Sequence, residues 1–144
     1  MQDANCIFCR IVSGKTKARI IRENDHALAF LDAFPLSPGH TLVVPKVHYS
    51  KIQDMDRKYS FAVFSLTCEV TAILEPIIGI NASIIAIHNG KGAGQEVPHV
   101  HLHIVPRSIN DGAGPIHSMF TSRPKLNNEE MDLLADKMKK RLNI

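Results

Sequence analysis

Three histidines alternate with aliphatic residues in one short segment of the chain. The histidines are His99, His101 and His103, and the aliphatic residues that follow them are Val100, Leu102 and Ile104. Because neighbouring side chains of a strand point to opposite faces, this spacing predicts three imidazoles side by side on one face and a packed aliphatic face behind them. Such a row on a rigid support is suited to chemistry.

Two chemistries use a row of this kind. Neighbouring imidazoles can coordinate a catalytic metal ion, or one neutral imidazole can attack phosphorus and form a covalent intermediate that water resolves. Phosphoryl transfer depends on donors that hold charged oxygens, and the glycine-rich stretch 92–97 can supply backbone N–H groups for that purpose. A purely structural histidine cluster is the remaining interpretation.

The elements that must hold this row follow from periodicity and from the positions of Gly and Pro. Alternating or continuous apolar runs predict five strands, at 18–23, 26–32, 39–45, 80–88 and 97–105. Helical spacing after Asp54, the predicted N-cap, indicates one long helix that ends at Pro76 and Gly79. Asn127 and Glu130 have the spacing of a capping box and predict a C-terminal helix.

The order of these elements predicts an α+β fold. We expect an antiparallel five-stranded meander sheet, a long helix inserted between strands 3 and 4, and a C-terminal helix. With 144 residues, 44% of them apolar, the chain is the size of one domain. The prediction is therefore a single domain over 1–144, with a core at about 6–107 and a C-terminal loop and helix at 108–144.

Charge and composition narrow the function classes. A formal charge of +3 without a Lys/Arg stripe does not favour nucleic-acid binding, so small molecules are the expected partners. No basic start followed by an apolar run indicates a secretory signal, and no apolar run indicates a membrane span, so we expect a cytoplasmic protein without membrane contact. Three cysteines do not suggest a disulfide framework.

The long helix carries a second apolar stripe, formed by Phe61, Phe64 and Cys68. A helix that is apolar on two sides usually has two packing partners. The stripe therefore predicts either a neighbouring loop or a homodimer interface.

Several motifs together resemble the histidine triad (HIT) superfamily. The central one is the segment 95–107, QEVPHVHLHIVPR, and it is accompanied by CIFCRIV at 6–12, AFLD at 29–32, PGHTLVVPKVH at 38–48 and Asn89, in the family's order. The similarity covers about residues 6–107. It implies the HIT-like fold and the branch of purine nucleoside phosphoramidate hydrolases, which are usually homodimers.

The resemblance also implies roles for the catalytic histidines. His101 would be the nucleophile, held by the main-chain carbonyl of His99, and His103 would contact the nonbridging phosphate oxygens. The implied reaction breaks a bond at the α-phosphate of a nucleoside 5′-monophosphate derivative through a nucleotidyl-histidine intermediate. His40 occupies a matched position near the triad, where its role is structural or functional.

The nucleotide site that the resemblance implies has a purine end and a phosphate end. Asp32 would accept hydrogen bonds from the ribose hydroxyls, and apolar residues would enclose the purine, with Ile11 interpreted as plain core. Asn89 and Gln95 would orient the phosphate or the leaving group. The full predicted set is Ile7, Phe8, Phe30, Asp32, Asn89, Gly94, Gln95, Val97 and His103.

A structural zinc ion is a further implication. Cys6 and Cys9 form a C-x-x-C half-site, and His48 and His99 match the positions that complete a four-ligand zinc site in many members of the family. Such an ion has no open coordination position and would take no part in the reaction. The resemblance therefore implies that catalysis requires no cofactor. Cys68 is interpreted as a small core residue.

The sequence leaves the leaving group open. Glu96 stands where some members of the family carry Ser near the leaving group, and a related branch hydrolyses dinucleoside polyphosphates. The sequence is also compatible with a zinc-dependent hydrolase and with a nucleotide-binding interaction module.

Overall fold

The computed structural model describes residues 2–144, and within them it has five strands and three α-helices. In chain order these are α1 (Ile7–Val12), β1 (Arg19–Glu23), β2 (Ala27–Leu31), β3 (Thr41–Pro45), α2 (Arg57–Ile78), β4 (Ser83–Ile87), β5 (Leu102–Pro106) and α3 (Asn128–Leu142). The chain divides into two compact units, one ending at Asp111 and the other spanning Gly112–Ile144. A single domain stays a prediction.

The five strands form one antiparallel sheet with the order β1-β2-β3-β5-β4. The α+β class, the five-stranded antiparallel sheet, the inserted helix and the C-terminal helix are thus confirmed. The simple meander order is wrong in one respect, because β5 lies between β3 and β4. The long helix α2 carries the chain away from β3, so the largely buried β5 takes the inner place beside β3 and the half-buried β4 is left at the edge.

The predicted strand at 97–105 begins later than expected. Ladder pairing of β5 with β3 ends at Leu102, which is opposite Val43. The N–H of Val100 donates to the carbonyl of Tyr49 at 2.7 Å, so the chain before β5 is bound to another segment. Of the three histidines, only His103 lies in the strand, and His99 and His101 precede it.

Helix α2 covers one face of the sheet. Its fully buried side chains Val63, Leu66 and Val70 pack in one cluster with Leu102 and Ile104 of β5. The aliphatic residues between the histidines therefore form the core, as their alternation predicts.

The predicted ends of α2 are wrong in detail. Asp56 rather than Asp54 occupies the N-cap position, and Asp54 belongs to a short 3₁₀ turn. Pro76 lies inside the last turn, where its missing N–H removes a single hydrogen bond. The helix ends at Gly79, which has φ 76° and donates its N–H to the carbonyl of Glu75.

By length and composition alone, α2 is apolar enough to cross a membrane, a test that core helices of globular proteins also pass. One of its faces lies in the core. Its second stripe is accessible in the described chain, since Phe61 is 61% exposed, Phe64 is 46% exposed, and Cys68 is exposed rather than part of the core.

The second unit contains α3, which begins with the predicted capping box. The side chain of Asn127 accepts from the N–H of Glu130 at 2.8 Å, and the carboxylate of Glu130 accepts from the N–H of Asn127 at 2.9 Å. Asn143 ends the helix in the left-handed conformation.

Candidate active site

A cleft of about 620 Å³ lies on the sheet face opposite α2. Its wall combines the apolar residues of α1, the end of β2 with the loop that follows it, and the segment that leads into β5. It includes most of the residues predicted to bind a nucleotide or to react, namely Ile7, Phe8, Phe30, Asp32, Gly94, Val97, His101 and His103. A cleft of this size with an apolar end and a polar end is typical of a small-molecule site.

The ring of His101 is fixed by one short hydrogen bond. Its Nδ1 lies 2.7 Å from the main-chain oxygen of His99. Because a carbonyl only accepts, Nδ1 must carry the proton, and Nε2 of a neutral ring then has a free lone pair. Burial lowers the pKa of His101, against the opposing effect of the same hydrogen bond. His101 is thus a neutral imidazole on the wall of the cleft.

A second chain of hydrogen bonds fixes His103. The N–H of Leu36 donates to Nδ1 of His40 at 3.1 Å, so the proton of a neutral His40 is on Nε2. That Nε2 lies 2.9 Å from Nδ1 of His103, which must accept. The proton of His103 is therefore on Nε2, a buried atom without a hydrogen-bond partner among the described residues. It is a donor available to an oxygen in the cleft.

Asp32 is the carboxylate at the middle of the cleft. Its Oδ1 accepts the N–H of Phe34 at 2.9 Å, and its Oδ2 lies 3.6 Å from Nε2 of His40. The first contact fixes the plane of the carboxylate. The second oxygen remains able to accept from hydroxyl groups of a bound molecule.

Behind the cleft, Cys6, Cys9, His48 and His99 come together so that one ligand atom from each lies within 4.8 Å of the others. Nδ1 of His99 is 3.3 Å from Sγ of Cys6 and 3.5 Å from Sγ of Cys9, and Nδ1 of His48 is 3.5 Å from Sγ of Cys9. Sulfur and nitrogen ligands of a tetrahedral zinc ion are about 3.5 Å apart. This group could hold a metal ion.

The buried ring of His99 is oriented for that group. Its Nε2 donates to the carbonyl of Pro45 at 3.0 Å, which leaves Nδ1 as the unprotonated atom that faces the two thiols. Burial lowers the pKa of His99 to about 4, so the ring is neutral and able to bind a metal at neutral pH. The side chain of His99 does not line the cleft, and its main-chain oxygen is what connects it to His101.

Asn89 and Gln95 do not line the cleft either. The side chain of Asn89 accepts from the N–H of Ile52 at 2.9 Å, and Nε2 of Gln95 donates to the carbonyl of Ser50 at 2.9 Å. These bonds tie the β4–β5 connection to the segment before α2. Contact of either residue with a nucleotide stays a prediction.

The sequence left two histidines of the cleft without a defined role. His40 is almost fully buried beside His103, and the ring of His88 lies 5.4 Å from the ring of His103. His88 could have been found only from the strand order, because β4 carries it beside β5, where Ala86 is opposite His103.

Comparison with known proteins agrees with this geometry. The sequence model of the HIT domain family matches residues 13–110 of the chain. The chain belongs to the HIT family. The resemblance drawn from the motifs is confirmed.

Three relatives show the range of the family. An uncharacterised HIT-like protein of Methanocaldococcus jannaschii is 42% identical over 107 residues, which is 74% of this chain and 82% of the relative. An adenosine 5′-monophosphoramidase of Schizosaccharomyces pombe is 38% identical, over 72% of this chain and 74% of the relative. An adenylylsulfatase of Arabidopsis thaliana is 30% identical, over 91% of this chain and 66% of the relative.

Two solved structures share the fold over nearly the whole chain. A hypothetical protein from Leishmania major has a TM-score of 0.85 and 32% identity, and 97% of each chain is covered. A zinc-bound histidine triad family protein from Mycobacterium smegmatis has a TM-score of 0.70 and 31% identity, and 96% of each chain is covered.

The hydrogen bonds predict different tautomers for the histidines of the cleft. Nitrogen-15 NMR at neutral pH should find the proton of His101 on Nδ1 and the protons of His40 and His103 on Nε2. The variant His103→Phe removes the last acceptor from the Leu36–His40–His103 chain of hydrogen bonds. It should leave the tautomer of His101 unchanged. A proton on Nε2 of His101 in the free protein would contradict this geometry.

The same cleft predicts a pH dependence of stability. Burial, and then the neighbouring histidines, lower the pKa of His103 from 6.5 to about 4. As the pH falls below 6.5 the unfolded chain binds a proton at this residue and the folded chain does not. The free energy of unfolding should therefore fall between about pH 6.5 and pH 4, and His103→Asn should make this fall shallower in urea titrations. An unchanged slope in the variant would contradict the lowered pKa.

Proposed function

We propose that the protein is a nucleotide hydrolase that breaks the phosphorus–nitrogen bond of purine nucleoside 5′-phosphoramidates, with His101 as the nucleophile. Support comes from membership of the HIT family and from the phosphoramidase among the relatives. The catalytic and nucleotide-binding roles given below belong to the same proposal.

The observation that carries the proposal is the 2.7 Å hydrogen bond between Nδ1 of His101 and the oxygen of His99. It makes Nε2 the unprotonated nitrogen on a rigid ring that lines the cleft. An imidazole can attack phosphorus only through a lone pair, and the lowered pKa keeps that lone pair available at neutral pH.

The reaction then has two balanced steps. Nε2 attacks the α-phosphorus, the bond from phosphorus to the leaving nitrogen breaks, and that nitrogen keeps the electron pair and takes a proton from solvent. Water next attacks the same phosphorus, loses a proton to solvent and breaks the bond from phosphorus to Nε2, which restores His101 and releases the nucleoside monophosphate. The net change is the phosphoramidate plus water giving a nucleoside monophosphate and an amine.

Other residues of the cleft hold the substrate. The Nε2–H of His103 donates to a nonbridging oxygen, where charge builds up in the transition state. The free oxygen of Asp32 accepts from the ribose diol. Phe8 and Phe30, whose ring centres are 5.9 Å apart, enclose the purine together with Ile7, and Gly94 and Val97 complete the wall.

The group of Cys6, Cys9, His48 and His99 would hold a structural zinc ion. Four protein ligands leave no open position, so the ion braces α1 against the segment before β5. When bound it supplies rigidity, and both steps of the reaction use the protein's own groups.

The geometry favours this arrangement over a catalytic zinc ion held by the three histidines. His99 directs its Nδ1 to the cysteines, and His103 directs its Nδ1 to His40. The Nδ1 atoms of the three histidines therefore face different partners, namely the cysteines, a main-chain oxygen and His40. They do not converge on one point where a metal ion could bind. Asp32, His40 and His103 also lie close enough to hold an ion, but two of these residues are already joined by a hydrogen bond.

A homodimer completes the proposal. The exposed stripe of α2 and the edge strand β4, in which Ile85 is 44% exposed, give an apolar helix face and a row of unpaired backbone groups. A second copy of the chain, related by a two-fold axis, offers the same surface in return. A cytoplasmic location stays a prediction from the sequence.

Loss of the nucleophile tests the reaction. His101→Ala should lower kcat/KM for adenosine 5′-phosphoramidate by about 10³-fold or more and keep the fold, because the covalent intermediate forms on this ring. Mass spectrometry of the quenched wild-type protein should find a nucleotidyl group on His101. His26→Ala, at a histidine outside the cleft, is the control, and an adduct on another residue would refute the assignment.

The proposed zinc site predicts different effects for substitutions of His99 and of His101. Cys6→Ala and His99→Ala should lose bound zinc, and with it about 4 kcal/mol of stability at a free zinc concentration a thousand times the dissociation constant. His101→Ala should keep the metal. Elemental analysis and thermal melting measure both quantities, and retention of zinc in Cys6→Ala together with its loss in His101→Ala would overturn the structural role.

The dimer is tested by mass in solution. Light scattering at micromolar concentration should give twice the chain mass of 16.0 kDa, and Phe61→Asp should shift it toward the monomer because a buried unpaired charge opposes association. Phe34→Asp, at an exposed aromatic residue of the β2–β3 loop, should remain dimeric. A monomeric wild-type protein would exclude the interface.

A further inference from the structure

Among the described residues, the reaction end of the cleft has carboxylates and no lysine or arginine. Of the residues of the β2–β3 loop and segment 88–103 that line the cleft, Asp32 and Glu96 are acidic and the other titratable ones are histidines, while Lys91 of that segment does not line it. The hydrogen bonds of His40 and His103 fit uncharged rings, and burial lowers the pKa values of both. At neutral pH these two imidazoles are thus uncharged, and the charged side chains of the β2–β3 loop and segment 88–103 that line the cleft are the carboxylates of Asp32 and Glu96.

The two cations of the cleft wall lie elsewhere. Lys17 and Arg19 flank Ala18, which packs against the cluster that includes Phe8 and Phe30. Both side chains are exposed and line the cleft beside the aromatic residues assigned to the purine.

Glu96 has no structural task within the described chain. Its side chain is exposed, and no hydrogen bond or ion pair joins its carboxylate to another described residue. It lines the reactive cleft and also an adjoining hollow of about 330 Å³ beside His48 and Val97. Asp32, by contrast, accepts a hydrogen bond from the N–H of Phe34 and is assigned to the ribose. Glu96 is therefore the carboxylate that can interact with the leaving group.

We infer that Glu96 selects the leaving group by charge, so that the enzyme releases neutral or cationic amines and disfavours leaving groups that are anions. This inference rests on the proposed hydrolysis of phosphoramidates and adds the class of the amine to it. A polyphosphate or sulfate leaving group brings further negative charge beside the carboxylate of Glu96. An amine that carries a second ammonium group instead gains an attractive partner in Glu96.

Three matched substrates test the inference. Adenosine 5′-monophosphate is linked through nitrogen to ethylenediamine, propylamine or β-alanine, which have nearly the same length and end in a cation, a methyl group or a carboxylate. For the wild-type protein, kcat/KM should fall in that order by about two- to five-fold at each step, the range for an exposed charge pair. The differences should shrink at high salt.

Variants test whether Glu96 causes the order of kcat/KM among the three substrates. Glu96→Gln should give the three substrates nearly equal kcat/KM, and Glu96→Lys should reverse the order. Asp25→Asn, which removes the same charge from the exposed β1–β2 turn, should keep the wild-type order. Both positions are exposed, so thermal melting should be unchanged.

The outcomes separate this inference from the proposed function. Equal turnover of all three substrates by the wild-type protein, or the wild-type order in Glu96→Gln, would overturn the role of Glu96 and leave the phosphoramidase intact. Absence of turnover for all three, and for adenosine 5′-phosphoramidate itself, would instead refute the proposed function.

Discussion

The hydrogen bond from His101 to the main-chain oxygen of His99 is the contact on which the site depends. It sets the tautomer of one ring, and it can do so only because the residue that supplies the oxygen is itself immobile. The His99 ring is completely buried, bound to the carbonyl of Pro45 on one side and to the two thiols on the other. The unprotonated nitrogen of His101 is thus positioned by the backbone of a residue whose own side chain faces the two thiols.

Hydrogen bonds that begin in the loop between β2 and β3 determine the tautomer of His103. Backbone N–H groups of that loop bind both His40 and Asp32, so one short segment orients the proton donor and the carboxylate of the cleft together. The hydroxyl of Ser37 anchors the same loop to the carbonyl of Pro106, at the end of β5. Distances between these groups therefore follow from the pairing of β3 with β5, which positions the β2–β3 loop relative to His103.

The alternation of His99, His101 and His103 with aliphatic residues was enough to predict a buried face and a polar face. It was not enough to predict where the strand begins, because the bond from Val100 to Tyr49 depends on a distant segment. The strand order was missed for a similar reason, since β3 and β5 pair across the whole of α2. The grouping of Cys6, Cys9, His48 and His99, which could hold a metal ion, was predicted through family resemblance, since spacing in sequence could not have joined residues so far apart.

That separation has a consequence for biosynthesis. Cys6 and His99 are 93 positions apart, and the strand that brings them together is among the last of the sheet to leave the ribosome. At 5–20 residues per second, roughly 5–19 s pass between the synthesis of Cys6 and that of His99, the last of the four residues. During that interval the two thiols are open to oxidants and to competing metal ions, so the cell's redox state at the moment of synthesis bears on how much of the protein matures.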